Sequence, residues 1–128
     1  MLDGSPPTDT TTGAGPQAAV VTLPAEIDTA NACRAGQALR AAFVPGVRIV
    51  VADMSGTRFC DSSGIHALVQ AHQQATAAGA ELRVVVSSPP VLRVLAILGL
   101  DHWLAIYPSL REALPADAAK APAEAAET

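Results

Sequence analysis

The run Asp61-Ser62-Ser63-Gly64 gathers residue types suited to the start of a helix. Asp and Ser side chains accept hydrogen bonds from the backbone N–H groups that a first helical turn leaves without partners. Gly64 carries no side chain, so another molecule could approach the backbone closely there. A serine hydroxyl in this loop is expected to be exposed and to stand at the positive end of a helix dipole. Taken alone, the run reads as a capping loop.

The remaining reactive side chains do not assemble into a catalytic set. His66, His72 and His102 lack metal-ligand spacing, and His66 and His72 fall on different faces of one helix. Cys33 and Cys60 form no Cys-x-x-Cys pattern, and no glycine-rich phosphate loop occurs. Ser63 lacks the Gly-x-Ser-x-Gly context of a nucleophile elbow. No enzyme activity, metal or cofactor is therefore expected. Cys33 and Cys60 read as small buried hydrophobes, with a redox role for Cys60 as the lesser alternative. Trp103 and Tyr107 read as packing groups rather than a ligand platform.

The elements that must position the loop follow from composition and periodicity. The chain has 128 residues, half of them hydrophobic and only 3% aromatic, so one domain is expected with a core of Val, Leu, Ile and Ala. Eight basic against twelve acidic residues give a net charge of −4, without any Lys/Arg cluster, which argues against nucleic-acid binding. No apolar run is long enough to cross a bilayer, no secretory signal is visible, and two cysteines make no disulfide framework. These features predict a cytoplasmic protein.

Residues 1–17, rich in Thr, Pro and Gly, and residues 115–128, rich in Ala, Pro and acidic groups, read as disordered tails. Between them, strands are expected at 18–23, 47–54, 81–86 and near 104–107. Helices are expected at 29–43 with Thr29 as N-cap, at 63–78 closed by Gly79, from Pro89 to the neighbourhood of Gly99, and as a turn at 109–114. Ile65, Leu68, Val69, His72 and Ala75 share one face of the longest helix. Alternation of this kind predicts a single α/β domain: a mixed central sheet of about five strands with about four helices. The Asp61–Gly64 loop then lies beyond the carboxyl end of a buried strand, where partner sites of open α/β sheets concentrate.

Several segments, taken in order, resemble the STAS family, whose small bacterial members are anti-sigma-factor antagonists. They are Leu23-Pro24-Ala25-Glu26-Ile27-Asp28, Ile49-Val50-Val51-Ala52-Asp53-Met54-Ser55-Gly56 and Phe59-Cys60-Asp61-Ser62-Ser63-Gly64-Ile65. Ala77-Ala78-Gly79-Ala80-Glu81-Leu82, Ser88-Pro89-Pro90-Val91 and Ile97-Leu98-Gly99-Leu100 continue the match, which spans roughly residues 18–114. The resemblance implies that Ser63 is a phosphoacceptor flanked by the acidic Asp28 and Asp61. It also implies a partner surface of Asp28, Asp61, Ser62, Ser63, Gly64 and His66. The implied partner is an anti-sigma factor that is also a serine kinase of the Bergerat ATPase fold. Unphosphorylated antagonist would hold that kinase and free the sigma factor, and a metal-dependent serine phosphatase would reset the phosphorylated form. Ala25 stands where the family commonly has Gly, and His66 where a small residue is frequent, which bears on partner preference. STAS-like domains also serve as regulatory subunits docking on a transporter ATPase without phosphorylation, the alternative reading. A nucleotide-binding sensor is a third.

Overall fold

The computed structural model describes residues 10–15 and 17–115. Its spine is three β-branched segments that become the central parallel strands β2 (Ala18–Thr22), β4 (Ile49–Met54) and β6 (Glu81–Val86). Such strands are apolar on both faces because both faces are covered. A short β7 (Ala105–Tyr107) extends the parallel set, and β1 (Thr10–Gly15) adds antiparallel to β2, giving the order β1-β2-β4-β6-β7. Two further segments, β3 (Glu26–Ile27) and β5 (Phe59–Cys60), pair in parallel as a separate two-stranded ladder. The expected mixed sheet of five strands with four helices is what forms.

Each parallel step requires a crossover, and the strand order advances in one direction, so successive right-handed crossovers stack their helices on one face. α1 (Ala32–Ala41), α2 (Ser62–Ala77) and α3 (Pro89–Ile97) occupy that face. Leu39, Leu68 and Leu95 from the three helices meet Val21, Val50, Ala52, Leu82 and Val84 of the sheet in the main core. The opposite face is smaller. There Val20, Val51 and Val85 pack against Ala113 of α4 (Leu110–Ala113), whose first turn is capped by the Ser109 hydroxyl.

Four sequence expectations are corrected. Thr10–Gly15, placed in the unstructured N-terminal segment, pairs with the edge of β2, because an edge strand offers free backbone groups whatever the partner's side chains. Residues 1–9 and 16 of that segment and residues 116–128 lie outside the described residues. Thr29 is not the N-cap of α1: the helix starts at Ala32, after a turn in which the Asp28 carboxylate accepts from the Ala30 N–H. The Asp28 N–H in turn donates to Asn31 Oδ1, so this turn occupies the residues expected as a first helical turn. Helix α2 begins one residue earlier than expected, at Ser62, because Asp61 takes the cap position. Cys33 is exposed, since α1 turns Ala32, Ala35, Gly36, Ala38 and Leu39 inward and Cys33 falls off that face.

Candidate functional site

The β3–β5 ladder sets the site. Ile27 pairs with Cys60, and the Asp61 N–H donates to the Ile27 carbonyl at 3.0 Å. Asp28 and Asp61 therefore stand as the next residues at the ends of two neighbouring parallel strands. The loop behind the ladder is tied down by Thr57, fully buried, whose hydroxyl donates to the Pro24 carbonyl at 2.7 Å. Arg58 N–H adds a 2.8 Å bond to Ala25 O. The ladder is thus fixed from both sides before α2 begins.

Asp61 caps α2. Its Oδ1 accepts from the Ser63 N–H at 2.8 Å and the Gly64 N–H at 3.3 Å, satisfying two of the orphan donors of the first turn. Neither serine hydroxyl is needed for the cap, and neither makes a hydrogen bond among the described residues. Ser62 is exposed and Ser63 half-buried. The loop expected to cap a helix does so, and its capping leaves the serine oxygens free.

Gly64 needs a different account from the one its sequence suggested. It is buried, and a Cβ built on it would stand 2.4 Å from Cys60 Sγ and 2.7 Å from Ile27 Cγ2. The close approach is made by the chain itself, where α2 rests on the β3–β5 ladder, so no partner reaches this glycine. Cys60 beneath it is 6% exposed, and burial, followed by the neighbouring Asp61 charge, pushes its thiol from 9.0 up to about 11. A thiol held protonated and buried in this way is a poor nucleophile, which argues against the redox reading of Cys60.

Past the cap, α1 and α2 enclose a groove of about 630 Å³. Ser62, Ser63, His66, Ala67 and Gln70 line it from α2, and Cys33, Gly36 and Arg40 from α1. Ser63 and His66 face it together as residues one turn apart. The Arg40 guanidinium folds back so that its Nη1 lies 3.0 Å from where a Gly36 Cβ would be, and Ala67 Cβ lies 3.4 Å from the same point. Arg40 forms no ion pair among the described residues. Asp28 does not line the groove; it stands at its head, beyond β3.

The structure thus brings Asp61, Ser62, Ser63 and His66 to one exposed end of the domain, with Asp28 beside them and Gly64 underneath. Sequence reasoning missed Arg40, whose signal was its placement one turn past Gly36, at the edge of the buried face of α1. It also missed Phe59, 51% exposed on β5, because a two-residue strand carries no alternation to read. His72 and Trp103 pack together elsewhere, with ring centroids 4.2 Å apart and planes tilted by 55°. Tyr107 packs under Arg83 on the sheet. No group of three or more metal-ligating side chains occurs among the described residues, and none of their helices is long and apolar enough to cross a membrane.

A family model described as the STAS domain matches residues 6–113. Among solved structures, an anti-sigma factor antagonist from Mycobacterium paratuberculosis is similar at 26% identity and TM-score 0.73, over 83% of this chain and 89% of that one. The Bacillus cell fate determinant SpoIIAA in its phosphorylated form is similar at 20% identity and TM-score 0.63, over 82% and 95%. A sulfate transporter family protein from Wolinella succinogenes shares the fold at 16% identity and TM-score 0.69, over 94% and 99%. Among curated protein sequences, none matches the chain.

Proposed function

The chain belongs to the STAS domain family, and from that membership we propose that it is an anti-sigma-factor antagonist switched by phosphorylation of Ser63. In this reading the unmodified protein binds an anti-sigma factor that is also a serine kinase of the Bergerat ATPase fold, and so releases the sigma factor. The kinase transfers the γ-phosphoryl group of ATP to Ser63 Oγ, the hydroxyl proton is lost and ADP leaves. A serine phosphatase hydrolyses the phosphate and restores binding. Similarity to an anti-sigma factor antagonist at 26% identity supports the assignment.

The observation that carries the reading is the division of labour in the loop: Asp61 caps α2, and the Ser63 hydroxyl makes no hydrogen bond among the described residues. Phosphorylation can then proceed without unmaking the helix. A phosphoserine adds about −1.5 to −2 charges, and the free N–H groups of the first turn tolerate an anion. At a partner interface the same group must be desolvated near Asp28 and Asp61. A thousandfold loss of affinity requires only about 4 kcal/mol, a cost that desolvation and like-charge repulsion can supply together.

The test is capture from an extract of the source cells by wild type, Ser63→Ala and Ser63→Asp, with the retained proteins identified by mass spectrometry. The antagonist reading expects an ATP-binding kinase held by wild type and Ser63→Ala and lost by Ser63→Asp. The similarity to a sulfate transporter family protein keeps the transporter reading as the second. Retention of a transporter ATPase by all three forms would favour it and reject the switch.

A further inference from the structure

The groove beside Ser63 carries an asymmetry of charge that the fold alone does not require. The chain is net acidic, and Asp28 and Asp61 stand at the head of the groove, yet Arg40 along its length has no acidic partner among the described residues. Arg40 comes from α1, the wall across from Ser63, and His66 from α2, one turn past Ser63 on the same wall. The position of Arg40 is constrained. Its guanidinium lies against Gly36 opposite Ala67, which is four residues past Ser63 on the same helix face. Residues so spaced stand about 5–6 Å apart, so the guanidinium lies beside the turn of α2 that follows Ser63. Gly36 is what allows this: a side chain there would displace the guanidinium.

We propose that a phosphoryl group on Ser63 is held inside this groove by Arg40 and His66 of the same chain, so that the modified protein fills its own groove. The inference rests on the phosphorylation reading above and adds how the modified state is held. A phosphate extends Ser63 from the helix end down the groove, where the planar guanidinium can take two of its oxygens and the imidazole a third. The carboxylate of Asp61 remains engaged with the first-turn N–H groups. The charged or titratable groups that face the phosphate are therefore Arg40 and Cys33 from α1, His66 from α2, and Asp28 and Asp61 from the ends of the ladder. Phosphorylation then does two things to a partner: it adds charge at the loop and it occupies the space between α1 and α2.

The experiment is a ³¹P NMR pH titration of the full chain carrying phosphoserine encoded at position 63, in the wild-type background and with Arg40→Gln, Arg40→Lys and His66→Gln. All forms share the same helix end, so differences between them isolate the groove. The wild-type phosphate should complete its second ionisation below the usual value of about 6. Arg40→Gln should raise that ionisation by about half a unit, as loss of a partly screened cation predicts. Arg40→Lys should fall between, since it keeps the charge without the fork. Circular dichroism and urea unfolding of the unmodified variants show whether each is folded. Coincident titrations in all folded forms would overturn the clamp. Capture of the kinase is read on the same phosphoproteins. Loss of capture with coincident titrations leaves the switch standing and rejects the clamp. Shifted titrations with undiminished capture keep the clamp and reject the switch.

Discussion

At the residue scale, Gly64 shows how a functional motif can carry a structural requirement. Intrinsic propensity says that Gly→Ala inside a helix gains about 1 kcal/mol. Here the added methyl would meet Cys60 Sγ at 2.4 Å and Ile27 Cγ2 at 2.7 Å, both in the packed layer between α2 and the ladder. Overpacking of this kind costs about 1–3 kcal/mol. We therefore expect Gly64→Ala to lower the urea midpoint, and the double variant with Cys60→Ala to recover part of the loss while the Ile27 contact persists. A gain in stability on Gly64→Ala would show that the ladder yields and that propensity decides. The sequence displayed the glycine but not its cause, because Ile27 and Cys60 come from strands thirty-odd residues apart and only their register brings them under α2.

At the scale of elements, the site is a junction of three short pieces rather than one motif. Strand identities, the long helix and the serine loop were legible because β-branched runs, 3.6-residue periodicity and a cap residue before an apolar helix are local signals. The β3–β5 ladder was not, since two-residue strands show no alternation. Nor was the groove, which depends on Cys33 and Arg40 of α1 facing Ser63 and His66 of α2 across space. Thr29 illustrates the same limit: its type suits a cap, but the turn closed by the Asp28 carboxylate and Asn31 Oδ1 puts Asn31 at the cap position of α1. The cap of α2 can be tested directly. Asp61→Ala removes the acceptor for two N–H groups and should cost about 1 kcal/mol, whereas Asp61→Asn should keep most of it. Urea unfolding monitored by circular dichroism separates the two. Equal stability of Asp61→Ala and wild type would mean that Ser62 or Ser63 takes over the cap, and with it the free hydroxyl on which phosphorylation depends.

At the scale of the whole molecule, the two faces of the sheet are unequal, and the inequality separates stability from function. Three helices cover one face, and two of them, α1 and α2, line the groove beside Ser63. The other face, with Val20, Val51 and Val85 at its centre, relies on a four-residue α4 that could not persist as an isolated helix. It is held by the fully buried Ala113, and by Arg83 Nη1 donating to the Ala113 carbonyl at 2.8 Å. Ala113→Asp would set a carboxylate against three valines, and burial of an unpaired polar group costs at least about 2 kcal/mol. The expected outcome is that α4 detaches instead: amides of β4 and β6 exchange faster, a hydrophobic dye binds, and the urea midpoint falls. Kinase capture at the far end of the helical face should survive at temperatures where the domain remains folded, because nothing in the Asp61 cap or the α1–α2 groove touches α4. Loss of capture in a still-folded Ala113→Asp protein would instead mean that the partner reads the back of the sheet as well, and that the surface recognised extends well beyond the serine loop.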